Sequence, residues 1–100
     1  MSIISNNTEF IDSPGDVLRK ILKEKDVKQK DFAKKIHTSY TVLNKYINGN
    51  RPMNASFALI LEKSLDIKAE YWLQLQAQYD IHLARQKTSL IKKLYLVEIV

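Results

Sequence analysis

QKDFAKKIHTSYTVLNKY, residues 29–46, is the stretch whose reading decides the fold. It divides into two short amphipathic segments around a three-residue turn. Phe32, Ala33 and Ile36 give the first segment, Gln29 to Ile36, one apolar face. Leu43, Tyr46 and Ile47 do the same for the second, which Ser39 can cap at its start. His37 falls where a left-handed residue must end the first helix, a place glycine usually takes. Ala33 is small enough to let the second helix cross closely. This spacing predicts a helix-turn-helix. A plain helical hairpin with no role on DNA would share parts of it.

Outward from this pair the same patterning continues. Ser13-Pro14 reads as N-cap and first helical position, with Asp16 at the positive end of the dipole. Val17, Leu18, Ile21 and Leu22 supply the inner stripe of that first helix, which fades near Lys25-Asp26. Asn48-Gly49 closes the third helix, and residues 50–53 connect to a fourth, capped by Asn54 and ending near Leu65. A fifth runs from Lys68 or Ala69 to Arg85, with Trp72, Leu75, Tyr79 and Leu83 at helical spacing. The expected fold is all-α: a compact five-helix bundle over residues 13–86. It is preceded by an arm, 1–12, and followed by a tail, 87–100, where Ser89 could cap a short helix but Tyr95 to Val100 are strand-like residue types.

Composition sets the outer limits. One hundred residues make one domain at most, and two glycines with two prolines are too few for a sandwich or barrel. Without cysteine there is no disulfide scaffold, Cys-based zinc site or thiol chemistry. The opening residues lack a signal-peptide pattern, and no apolar run could span a membrane. The expectation is a soluble cytoplasmic protein. Catalysis is not expected. The only histidines are His37 and His82, no glycine-rich phosphate loop occurs, and Asp80 and His82 point to different sides of a helix. No metal ligand set or cofactor motif is visible.

The net charge is +5, and it is unevenly spread. Residues 1–14 carry −2, residues 15–51 carry +6 and residues 52–100 carry +1. The excess sits in the third of the chain that contains the helix-turn-helix, which suits a polyanion-binding face. With Leu43, Tyr46 and Ile47 inward, Tyr40, Thr41, Asn44 and Lys45 face outward at the start of the third helix, the part that reaches base edges in a major groove. Asn44 suits a bidentate pair with adenine, Lys45 a guanine or phosphate, and Thr41 a thymine methyl. Gln29 at the second helix's N-terminus and Arg51 after the third are candidate phosphate contacts, and Ser39 completes the set. For each residue alone, an ordinary solvated side chain is the competing reading.

Three segments resemble the HigA-type antitoxins, also called virulence-associated-protein-I-like, of the Xre/Cro-like helix-turn-helix class with its lambda-repressor-like fold. Residues 13–18 are similar to that family's His-Pro-Gly-Glu-hydrophobic-Leu opening. Residues 29–52 match the helix-turn-helix with its Asn-Gly-x-Arg-Pro connector. Residues 70–80 are close to its Glu-aromatic-Trp-Leu-x-Leu-Gln-x-x-Tyr-Asp segment. The chain departs from the pattern at Ser13, Lys28 and His37, where the family favours His, a Ser or Thr N-cap, and Gly. The resemblance implies a homodimer that represses its own operon at a palindromic operator and neutralises a RelE-like mRNA endonuclease, HigB. For the dimer seam, Trp72, Leu75, Tyr79 and Leu83 are candidates, with core the competing role, above all for Trp72. A stand-alone phage-type repressor and an interaction module that has lost DNA binding are the alternatives.

Overall fold

The computed structural model describes residues 11–95, and side chains through residue 87. Five helices follow in order: α1 Pro14–Glu24, α2 Gln29–Lys35, α3 Tyr40–Ile47, α4 Ala55–Leu65 and α5 Ala69–Tyr95. No strand occurs among the described residues. None of these helices is long and apolar enough to cross a membrane.

The helix boundaries follow from side-chain chemistry. Ser13 Oγ accepts from the Asp16 amide at 3.2 Å, Ser39 Oγ from the Val42 amide at 3.1 Å, and Asn54 Oδ1 from the Phe57 amide at 2.8 Å. Each satisfies a donor that a helix start leaves orphaned. Lys28 gives α2 no such bond. Glu62 of α4 serves α5 instead of a local cap, its Oε1 accepting from the Ala69 amide at 2.7 Å. Helix ends use left-handed residues: Asp26 after α1, His37 after α2, Gly49 after α3 and Asp66 after α4.

His37 sits at φ 57°, the conformation the turn demands. A Cβ makes that conformation costly, and the side chain is exposed. His37→Gly is therefore expected to stabilise the fold by about 1 kcal/mol, raising Tm by roughly 4–8 °C. Thermal unfolding followed by circular dichroism measures it.

The core lies between the helices. Leu18, Leu22, Phe32, Ala33, Leu43, Ile47, Ala58, Leu61 and Trp72 are all at most 2% exposed. α1 packs on α3 and α5, α2 on α3, and α4 on α5. Ala33 of α2 is buried, as a small residue beside a packed neighbouring helix should be. Tyr46 stacks flat on Phe57, ring centroids 3.8 Å apart. Gln76 Oε1 accepts from the Met53 amide at 2.7 Å and so fastens the connector to α5.

Trp72 is wholly buried, so of its two readings the core holds and its ring offers no surface to a second chain. One expectation changes. α5 does not stop at Arg85 but continues unbroken to Tyr95. Residues 86–95 hold no Gly or Pro, and lysine and leucine are strong helix formers, so nothing local halts the helix. Most of the 1–12 arm and the strand-like residues 96–100 lie outside the described residues.

Candidate nucleic-acid interface

One face of α3 stands clear of the bundle. Tyr40 and Thr41 at its start and Lys45 in its last turn are exposed, and Asn44 between them is half-buried, so the polar face runs along the helix and is not confined to its start. With Asn50 they line one shallow open depression, and none of the five is acidic. The helix has no acidic residue in its first turn, so the positive end of its dipole is not neutralised locally. Ser39 is committed to capping through its oxygen, which makes it a setter of the helix start more than a reader of bases. Lys30 of α2 holds its ammonium 5.8 Å from the Tyr40 ring centroid, bringing a further positive charge to the same face.

Gln29 and Asn44 meet directly. Asn44 Nδ2 donates to Gln29 Oε1 at 3.2 Å, joining the start of α2 to the exposed face of α3. Asn48 Nδ2 donates in turn to Asn44 Oδ1 at 2.7 Å. Behind Asn48 stands Arg19 of α1. Its Nη2 donates to Asn48 Oδ1 and to the Ile47 carbonyl, both at 3.2 Å, and its Nη1 pairs with Asp16 Oδ1 at 2.8 Å. Partial burial pushes the Asp16 carboxyl upward. Hydrogen bonds from Arg19 and from the Ser13 side chain and backbone, with the Arg19 charge, outweigh that effect and hold it below the ordinary carboxylate value.

Arg51 stands apart from this group. Its guanidinium carbon lies 5.5 Å from the Tyr46 ring centroid, and it lines a different cleft, with Ser13, Pro14, Pro52, Tyr79 and Leu83. Stacking uses the guanidinium face and leaves its in-plane donors for a phosphate.

The sequence reading thus places four of its seven residues around one depression and a fifth, Gln29, in contact with them. It did not single out Arg19, Asn48 or Asn50. The i, i+4 spacing of Asn44 and Asn48 was the one available signal. In the sequence Arg19 is one more basic residue off the apolar stripe of α1, and its reach to α3 is a tertiary fact.

A family model described as helix-turn-helix matches residues 18–72, more than half of the chain and all of α2, α3 and α4. The chain belongs to this helix-turn-helix family. It is the Xre/Cro-like class that residues 29–52 resemble. Among helix-turn-helix relatives, the HTH-type transcriptional regulator YbaQ of Escherichia coli is 33% identical over 70 residues, 69% of this chain. The chain spans only 62% of the length of that relative. Virulence-associated protein I of Dichelobacter nodosus is 32% identical over 74 residues, covering 73% of this chain and 68% of its own.

Solved structures of this helix-turn-helix type superpose over nearly the whole chain. A putative antidote protein of a plasmid maintenance system from Nostoc punctiforme gives a TM-score of 0.81 at 27% identity, covering 89% of this chain and 98% of its own. The antitoxin HigA of Pseudomonas aeruginosa, solved with the higBA promoter, gives 0.71 at 26% identity, covering 91% and 99%. The structural neighbours of this helix-turn-helix protein are HigA-type antitoxins.

Proposed function

We propose that this protein is the antitoxin of a toxin–antitoxin pair and the repressor of its own operon. The observation that carries the reading is the open face of α3, where Tyr40, Thr41, Asn44 and Lys45 surround one depression free of acidic groups. Four such side chains along an exposed helix face can donate to base edges and phosphates once that helix enters a major groove. The solved HigA bound with its promoter supports DNA as the ligand. The antidote and antitoxin names of the solved neighbours support a toxin as the protein partner, and the resemblance of residues 29–52 and 70–80 implies that it is a RelE-like mRNA endonuclease, HigB.

A palindromic operator needs two copies of α3 about 34 Å apart. We place the homodimer seam on α5, along Leu75, Tyr79 and Leu83, which recur every four residues on one side of the helix. Leu75 and Tyr79 are half-buried and Leu83 is 45% exposed, so this stripe leaves the core as α5 proceeds. Burial of Leu83 against a second copy would remove that apolar surface from water.

The test is a gel-shift titration against the protein's own upstream DNA, with and without the neighbouring gene product. The expected result is a discrete complex, tightened by the partner. Several phosphate contacts should cost about 10³-fold or more in affinity between ~50 and ~200 mM salt. A shift no stronger than on unrelated duplex would contradict the repressor reading, and no association with the neighbouring product would contradict the antitoxin reading.

A further inference from the structure

The amides of Gln29, Asn44 and Asn48 form a row that ends on the Arg19 guanidinium. A guanidinium can only donate. The Asn48 atom facing Arg19 must therefore be its oxygen. That turns the Asn48 NH₂ toward Asn44, so the Asn44 atom facing it is also an oxygen. The Asn44 NH₂ must then face the oxygen of Gln29, and the Gln29 NH₂ is turned outward. One donor-only group at the C-terminal end of α3 thus fixes the polarity of every amide in the row. Asp16 holds that group in place at 2.8 Å, and the Ile47 carbonyl holds it against the end of α3.

The consequence falls on the exposed face. An amide side chain has two N–H donors and two acceptor sites. Asn44 uses one of each within the row, which leaves one donor and one acceptor with a fixed sense. Adenine presents the complement, N7 as acceptor and N6–H₂ as donor. A freely rotating amide would also accept the reversed arrangement.

We propose that Arg19 and Asn48 are positioning residues for base readout: through the Asn48–Asn44–Gln29 row they set the donor–acceptor sense that Asn44 offers to a base. This rests on the DNA-binding reading above, and it assigns to two residues outside the depression lined by Tyr40, Thr41, Asn44 and Lys45 a share in sequence preference.

The experiment selects binding sites for the full-length wild-type chain from a randomised duplex DNA library. Affinities are then measured for the selected duplex, for its single base-pair substitutions, and for a random-sequence duplex. Four proteins are compared: wild type, Asn44→Ala, Asn48→Ala and Arg19→Lys. Arg19→Lys keeps the charge, but a lone ammonium cannot serve Asp16, Ile47 and Asn48 in the planar geometry of a guanidinium. Asn44→Ala should flatten preference at one base pair. Asn48→Ala and Arg19→Lys should weaken preference at that same base pair by roughly tenfold, within the range of one base contact. Their binding to the random-sequence duplex should stay within about twofold, because phosphate contacts supply it.

Two results would overturn the proposal. One is an Asn48→Ala protein with wild-type preference at the position that Asn44→Ala flattens. The other is a parallel loss on selected and random duplex, which a merely structural role would give. A wild-type protein that enriches no sequence at all would overturn the DNA-binding reading itself, and this proposal with it.

Discussion

Gly15→Ala is expected to destabilise the protein by about 3 kcal/mol, at the upper end for an overpacked site, and to lower Tm by more than ~10 °C. Gly15 is the second residue of α1, and α1 passes directly over the C-terminal end of α3. A Cβ added there would sit well inside contact distance of the Tyr46 and Ile47 carbonyl oxygens. Both obstacles are backbone, so no side chain can swing aside. α1 would have to lift away, which would stretch the Arg19 bond to the Ile47 carbonyl and open the core where Leu18 and Ile47 are both buried. Helix propensity alone predicts the opposite sign, since alanine is favoured over glycine by roughly 1 kcal/mol inside a helix. Urea denaturation decides between them. An alanine variant as stable as wild type would show that α1 and α3 are not packed this closely.

Asn44→Ala is expected to cost about 2 kcal/mol at the cognate operator, some thirtyfold in affinity, and to relax preference at a single base pair. The loss has two sources on this surface. The amide itself is removed, and Gln29 and Asn48 each lose the partner they meet at 3.2 and 2.7 Å. Lys45→Ala serves as the comparison. A lysine on a phosphate weakens every sequence evenly and lowers the salt slope by about one, whereas a lysine on guanine relaxes a second position. Affinities for the operator and its single substitutions, measured at several salt concentrations, separate these cases. Full operator affinity in the Asn44→Ala protein would remove Asn44 from the readout surface.

Acid should loosen the same corner of the fold. The Asp16 carboxyl titrates below its unfolded value, so its contribution is present above the unfolded pKa of about 4. It is lost as pH falls through the lower folded value. Because Asp16 holds Arg19, the amide row along α3 should lose its anchor in the same range.

The architecture was legible wherever a local rule acts through one or two residues. Ser13, Ser39 and Asn54 cap the helices they were expected to cap, and His37 takes the left-handed conformation that its place in the turn demands. Ala33 is buried at the predicted crossing. The polar face from Tyr40 to Lys45 was equally readable, because helical spacing separates it from Leu43, Tyr46 and Ile47.

What sequence did not disclose depends on contacts between distant segments. Arg19 and Ile47 are 28 residues apart, and only the fold brings the guanidinium to the end of α3. The same applies to Gly15, whose glycine is explained by carbonyls on another helix rather than by a turn. The apolar stripe of α5 blurs at Arg85, which by periodicity alone predicts an end there. A helix already nucleated upstream meets no Gly or Pro over residues 86–95, and it runs on to Tyr95. Trp72 shows the limit of periodicity: the spacing that marks a partner-facing stripe also marks a core, and burial alone separates them.

Hydroxyl-radical footprinting on the protein's own upstream DNA tests most directly whether the α3 face reads a duplex as a symmetric pair. The account predicts two protected patches on one face of the double helix, centred about 10 base pairs apart or a multiple of it, and both should vanish with Asn44→Ala and Lys45→Ala combined. A single protected patch, or protection that persists in the double variant, would contradict it.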